Sequence, residues 1–361
     1  MAKICFFSGD ITRSGGTERV SSVIANALTR QGKYRILFLS LTEQEREPFF
    51  VLENAIERYS LGDKWINPGP GYLKLIPRLR RFLKQHEIDV IIDIDIVLDV
   101  LSIPAARGLK TKIISWEHFH YNYEMQSLYR RCILKYSVKR TDYIVTLTEG
   151  DKRAYVDHSN RSEAVCAIYN PIEELEPMGT SEKEKWLISV GHLIPAKGID
   201  YLAEVAALVL KKYPDWKWLV VGDGEQKEFL ETFIAQNQLE EKLILTGRVK
   251  DVGAYLQKAQ IYVMTSRSEG MPMCLLEAKT FRLPSVSFDI ATGPSEIIED
   301  GVNGYLVNAY DCEEMAQKLG QLMGDASLRK QFSEHSLDNV ERFQMANILK
   351  QWNTVLEELL S

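Results

Sequence analysis

The chain has 361 residues, 45% of them hydrophobic, 26% charged and 10% aromatic, with a formal net charge of −6. At about 150 residues per domain this length fits two domains, and the composition excludes a disulfide mini-scaffold, a collagen-like repeat and a disordered tail. No window approaches 18 uninterrupted apolar residues, Met1 to Phe7 turns polar at Ser8-Gly9-Asp10 before a signal-peptide core forms, and five scattered cysteines without a C-x-x-C pair read as reduced thiols of a cytoplasmic protein.

Lys3 to Phe7 predicts a short buried strand, and residues 17–31 an amphipathic helix with Val20, Ile24, Ala27 and Leu28 on one face. Further strands are expected at 34–40, 89–94, 112–116 and 142–147, with helices at about 72–86 and 123–140. The pattern breaks at Asn170-Pro171-Ile172, and 173–185 reads as an acidic linker punctuated by Pro177 and Gly179. The alternation then restarts, with strands at 186–190, 218–221, 243–246, 261–265 and 285–288 and helices at 199–212, 225–237, 251–258 and 272–281. Strands alternating with helices predict parallel, doubly wound sheets. The expected fold class is α/β, with two facing Rossmann-like domains, 1–172 and 186–340. Strand carboxyl ends would aim their loops into a cleft between them. Ile348, Trp352, Val355, Leu356 and Leu359 mark a terminal helix in 341–361 that returns to the first domain.

Charge is uneven. Residues 1–170 carry 25 Lys and Arg against 20 Asp and Glu, and the remainder 19 against 30. The first half should attract anions while the second keeps the molecule soluble. Stretches 74–84 and 128–140 hold five basic residues each and no acid, interleaved with Leu73, Leu79, Tyr129, Ile133 and Leu134. An anionic membrane surface is one expected partner of these helices, and ordinary solvated helix faces are the other reading. Nucleic acid is not expected, given the acidic second half and the absence of a recognised motif.

Three stretches carry candidate chemistry. In Ser266-Arg267-Ser268-Glu269-Gly270-Met271-Pro272-Met273-Cys274-Leu275-Leu276-Glu277 a strand ends, a loop follows, and Pro272 is expected in the first turn of a helix. The N–H groups of 271–275 would then bind a phosphate. Glu277 would offer two acceptor oxygens to a diol such as a ribose, and Glu269 would accept from sugar hydroxyls. Solvated surface charges are the plainer reading of both. In Gly191-His192-Leu193-Ile194-Pro195-Ala196-Lys197-Gly198 the lysine is a point charge at a strand's carboxyl end, suited to a diphosphate leaving group. Ser14-Gly15-Gly16-Thr17-Glu18-Arg19 opens the first helix, where glycines let a sugar or phosphate approach the backbone. A tight turn explains these glycines equally well, and the stretch is not G-x-G-x-x-G.

Together, Glu269-x7-Glu277, Gly191…Lys197-Gly198, Gly222-Asp223-Gly224 and Gly15-Gly16-x-Glu18 resemble the retaining GT-B glycosyltransferases of family 4 over nearly the whole chain. The likeness is to bacterial enzymes that build capsular, O-antigen, N-glycan or teichoic-acid glycans. It implies transfer of a hexose or N-acetylhexosamine from a nucleotide sugar, UDP-linked, to a hydroxyl of a lipid-linked glycan precursor, without metal or other cofactor. It implies that Glu277 binds the ribose, Glu269 the donor sugar and Lys197 the diphosphate. Gly270, Met271, Pro272 and Met273 would give backbone contacts, and Arg248 and Val249 would lie against the base. Gly15 and Gly16 would shape the donor and acceptor side, and His118 would face the transferred sugar or the acceptor. His192 stands where the family usually has Arg, and Arg282 where it usually has a helix-ending Gly, which reads as a turn altered locally. Asp93-Ile94-Asp95 imitates a D-x-D metal motif, but its carboxylates are expected at most to touch an acceptor. His118 and His120 form no complete metal set. A cytoplasmic enzyme, peripheral on the inner membrane face, is expected. The alternatives are a non-catalytic GT-B partner subunit, or an epimerase or phosphorylase of the same fold.

Overall fold

In the computed structural model, which describes residues 1–62, 71–125, 127–159, 161–172 and 183–361, the two runs of alternating elements form two separate, wholly parallel sheets. The chain divides into one unit of Met1–Pro171 with Glu341–Ser361 and another of Ile172–Val340. Residues 173–182 of the expected linker lie outside the described residues.

The first unit holds β1 (Lys3–Ser8), β2 (Arg35–Thr42), β3 (Glu57–Gly62), β4 (Val90–Ile94), β5 (Lys112–Trp116), β6 (Tyr143–Thr146) and β7 (Val165–Ala167), in the order β3-β2-β1-β4-β5-β6-β7. The central strands β1 and β4 are near-continuous apolar runs because helices cover both faces of a parallel sheet. Two strands of this unit, like β13 (Gly304–Asn308) of the other, were not expected from the sequence. The edge strand β3, Glu-Arg-Tyr-Ser-Leu-Gly, is polar, and β7 is only three residues long. The expected helix 123–140 is split into Tyr121–Glu124 and Leu128–Ser137. Ser127 starts the second piece by accepting from the Arg130 amide at 3.1 Å, a cap that outcompetes a continuous helix. Helices Asp99–Ala106 and Glu149–Ser159 complete this unit's layers. The terminal helix Met345–Leu360 buries Ile348, Trp352, Val355 and Leu356. Trp352 meets Trp116 of β5 edge-on at 4.9 Å, and Trp116 meets Phe6 of β1 at 6.3 Å.

The second unit holds β8 (Trp186–Val190), β9 (Lys217–Val221), β10 (Leu243–Gly247), β11 (Ile261–Met264), β12 (Ser285–Asp289) and β13 (Gly304–Asn308), in the order β10-β9-β8-β11-β12-β13. Helices Ile199–Leu210 and Cys312–Gly324 supply Leu202, Ala206, Met315 and Leu319 to a core shared with Trp218, Val263 and Phe288. From β8 the chain winds outward through β9 and β10, then starts again at β11 and winds the other way. Loops after β8 and β11 therefore diverge and leave a crevice at their carboxyl ends, where ligands of such sheets bind.

The helix Met273–Thr280 ends differently from expectation. Arg282 itself adopts the left-handed conformation (φ +55°), its amide donates to Lys279 O at 3.0 Å, and that of Leu283 to Ala278 O at 3.0 Å. The glycine-type turn is thus retained rather than altered, with a side chain held where glycine is unstrained. Arg282→Gly should raise stability by about 1 kcal/mol, read as a higher urea midpoint; an unchanged or lower midpoint contradicts the strain.

Candidate functional site

The loops after β8 and β11 bring the two strongest sequence candidates together. Lys197 Nζ lies 2.5 Å from Glu269 Oε1, although 72 residues separate them. The same oxygen accepts from Ser266 Oγ at 2.6 Å, and the Glu269 carbonyl accepts from Thr292 Oγ1 at 2.7 Å. Burial works against the Lys197 charge, but the adjoining Glu269 carboxylate outweighs it and holds the ammonium above its usual range. A fixed cation and a fixed carboxylate thus sit side by side at the mouth of the crevice. Cys274 is half-buried here; desolvation pushes its thiol up while Lys197 pulls it down.

Close backbone approach makes this geometry possible. Gly198 has φ +62°, and a Cβ there would fall 2.1 Å from Thr265 O, while one on Gly222 (φ +149°) would fall 1.8 Å from Gly191 O. Side chains at either position would drive the Lys197 loop away from its neighbours. Gly293 (φ +99°) packs likewise against Pro272 and the Gly270 carbonyl.

Pro272 is not in the first helical turn. It caps the helix with extended backbone (ψ 109°), and the helix begins at Met273. Its carbonyl already takes the Leu275 amide at 3.1 Å and the Leu276 amide at 3.2 Å, so of the 271–275 amides expected to bind a phosphate, that of Leu275 is engaged within the helix. Met271 and Pro272 are buried beneath the loop, while Met273 is half-buried. Glu277 is half-buried on this helix, close enough to raise the Tyr262 and Cys274 ionisations. His192 is exposed beyond β8. Arg248 and Val249 follow β10, two strands from β8 and so roughly 10 Å along the sheet. Sequence reasoning missed Ser266, Thr292 and Gly293 as supports of Glu269. Only the turn residues Thr292-Gly293-Pro294 could have hinted at the latter two.

In the first unit, His118 follows β5. Its ring lies 4.5 Å from Trp116, it is 8% exposed, and Nε2 has no hydrogen-bond partner among the described residues. Burial pushes its pKa down to about 3, so the ring is neutral. His120 is engaged, its Nδ1 accepting from the Tyr123 amide at 3.2 Å. Gly15 and Gly16 open the helix Gly16–Arg30, where the Glu18 carboxylate folds back over Gly15 and accepts from its amide. That is half of a capping box, and it places a negative charge where the sequence suggested an anion site. Asp93 is fully buried and bonded by Ser102 Oγ at 2.7 Å, and the partly exposed Asp95 pairs with Arg130 at 3.4 Å. No group of three or more His, Cys, Asp or Glu among the described residues is arranged to hold a metal. The basic stretches are also partly spent: Arg78 bonds Leu61 O, Arg80 bonds Ala105 O and Arg107 O, and Arg131 bonds Met125 O.

The comparisons agree with this architecture. The family model described as Glycosyltransferase Family 4 matches residues 14–174, and that of glycosyl transferases group 1 matches 172–337. The chain is 33% identical to an uncharacterized glycosyltransferase of Haemophilus influenzae, over 99% of this chain and all of that one. It is 27% identical, over 99% of each chain, to the Campylobacter jejuni enzyme named GalNAc-α-(1→4)-GalNAc-α-(1→3)-diNAcBac-PP-undecaprenol α-1,4-N-acetyl-D-galactosaminyltransferase. Among solved structures, a Staphylococcus aureus TarM mutant in complex with fondaparinux, α-GlcNAc-glycerol and UDP superposes with a TM-score of 0.82 at 17% identity, covering 98% of this chain and 99% of that one. With a family model on each of its sheets and a relative matched from end to end, the chain belongs to the family 4 glycosyltransferases of the GT-B fold.

Proposed function

We propose that this glycosyltransferase moves a hexose or N-acetylhexosamine from a UDP-linked donor to a hydroxyl of a lipid-linked, cell-surface glycan precursor, with retention at the anomeric carbon. The observation that carries the proposal is the Lys197–Glu269 pair at the β8/β11 crevice, 2.5 Å across and braced by Ser266. In this reading Lys197 and the first amides of the helix Met273–Thr280 take the diphosphate, whose charge grows as the glycosidic bond breaks. Glu277 takes the ribose diol, Arg248 and Val249 flank the base, and Glu269 with Gly270 to Met273 orients the sugar. His192 is a further diphosphate contact. On the first unit, His118 and the Gly15-Gly16 turn serve the transferred sugar or the acceptor. The UDP in the TarM complex and the undecaprenol-linked glycan in the Campylobacter enzyme's name support the donor and acceptor classes. Stereochemistry follows the family.

Peripheral attachment to an anionic leaflet belongs to the same proposal. Lys74, Arg81, Lys84, Lys135 and Lys139 are exposed beside Leu73, Leu128 and Tyr129, and each such cation is worth about 1 kcal/mol near the surface. No helix among the described residues is long and apolar enough to cross a membrane. Co-sedimentation with anionic liposomes at low salt checks this, and protein left wholly in the supernatant rejects it.

A melting-point screen against UDP-, GDP- and ADP-sugars tests the donor class, since a ligand bound only by the native state raises the midpoint. Stabilisation by UDP-sugars is expected; stabilisation by another nucleotide alone, or by none, rejects the donor assigned. Lys197→Ala and Glu277→Ala should each lower turnover by about 10²- to 10³-fold with the fold intact; wild-type turnover in either removes that role.

His118 acts as a neutral hydrogen-bonding ring, so its ionisation should leave no limb in the kcat profile between pH 5 and 8. Its folded pKa lies below the unfolded value of about 6.5. The stability it lends is full above that value and drains away as pH falls towards 3. Between pH 7 and 5 the wild type should lose about 2 kcal/mol more than His118→Phe in urea unfolding; equal losses contradict a buried, neutral ring.

A further inference from the structure

We propose that Arg267 is a positioning residue that keeps the loop bearing Lys197 in register with the loop bearing Glu269. The inference rests on the donor-site reading above. Arg267 stands between Ser266 and Glu269, yet its side chain is bound to the other loop. Its Nη1 donates to Pro195 O at 2.9 Å and to Asp200 Oδ1 at 2.7 Å, and Nη2 donates to Asp200 Oδ2. Its amide donates to Ala196 O at 2.8 Å, and its guanidinium lies 4.2 Å from the centre of the Tyr201 ring. These partners flank Lys197 on both sides in the chain. Thr265 Oγ1 adds a bond to the Lys197 carbonyl at 3.1 Å. On the outer side, Tyr310 stacks on Tyr201 at 5.3 Å, and its hydroxyl reaches Arg267 O at 3.4 Å.

Exposure separates geometry from stability here. The Arg267 and Asp200 side chains are 33% and 43% exposed, and ion pairs that wet contribute little to folding. A planar fork held by both carboxylate oxygens and a carbonyl nevertheless fixes direction as a lysine's single ammonium does not. Lys197 reaches Glu269 from the loop that the Arg267 fork holds, so a slip of that loop separates cation from carboxylate. A misplacement of about 1 Å at a reacting group can cost on the order of 100-fold in rate.

The test compares Arg267→Ala, Arg267→Lys, Asp200→Ala and the Arg267→Ala/Asp200→Ala double variant with wild type. Each is assayed with whichever UDP-, GDP- or ADP-hexose the wild type consumes, beside Lys197→Ala and Glu269→Ala. Arg267→Ala should lower kcat by about 10- to 100-fold, with the donor KM within about threefold and the melting midpoint within a few degrees of wild type. Lysine should not restore kcat, and the double variant should be no slower than Arg267→Ala alone. The proposal is overturned by a wild-type kcat in Arg267→Ala, by rescue with lysine, by additive losses, or by a kcat loss matched by KM and midpoint. Full turnover in Lys197→Ala and Glu269→Ala, or a wild type that consumes no nucleotide sugar, overturns the donor-site reading itself and the brace with it. Loss in those two variants beside a normal Arg267→Ala overturns the brace alone.

Discussion

Side-by-side pairing of β8 and β11, with the chain leaving them in opposite directions, is the constraint on which the meeting of Lys197 and Glu269 depends. Parallel strands deliver every βα loop to one edge of the sheet, and reversal of winding opens that edge at one place only. Two loops distant in the chain are thereby made neighbours, and a lysine and a glutamate that would be unremarkable surface charges become a desolvated pair. Attraction between opposite charges grows as water is excluded, so the pair is both product and probe of that junction. Glycine is demanded where the loops touch, at Gly198 and Gly222, because carbonyl oxygens occupy the space a side chain would need.

Much of the architecture was legible in the residues, for a physical reason. Strands such as 112–116 and 186–190 are apolar runs bounded by polar or turn residues, and buried parallel strands must look like that. Elements that were not legible break that rule. Edge strand β3 is mostly polar, with Glu57 paired to Arg35 and Tyr59, and helix Asp99–Ala106 carries Pro104 and runs on from the apolar β4. At the site, Lys197 and Glu269 could be singled out as candidates from their places after two strands, whereas Arg267 could not. Ser266 and Thr292 could not, since a hydroxyl has no periodic signature and their bonds to Glu269 are seen only once the loops are folded.

The first unit shows the opposite outcome for charge reasoning. Counting basic residues in 74–84 and 128–140 suggested two free cationic faces, but several guanidiniums cap carbonyls at loop and helix ends or pair with Asp95. Arginine is suited to such internal work because its donors are many and fixed in a plane. The lysines, Arg81 and the exposed apolar side chains Leu73, Leu128 and Tyr129 are among what these stretches leave at the surface. Likewise, at the Gly15-Gly16 turn Glu18 supplies the acceptor that the helix start requires.

The membership of residues 341–361 in the first unit has a consequence for biosynthesis. Trp352 fills the space against Trp116 and is wholly buried there, so the amino-terminal unit lacks part of its interior until the intervening roughly 170 residues have been translated. At about 5–20 residues per second that is a wait of roughly ten to thirty seconds. The contiguous second unit has all its strands in hand sooner after its own synthesis, so a nascent chain would complete the unit that carries Lys197 and Glu269 before its amino-terminal unit is complete.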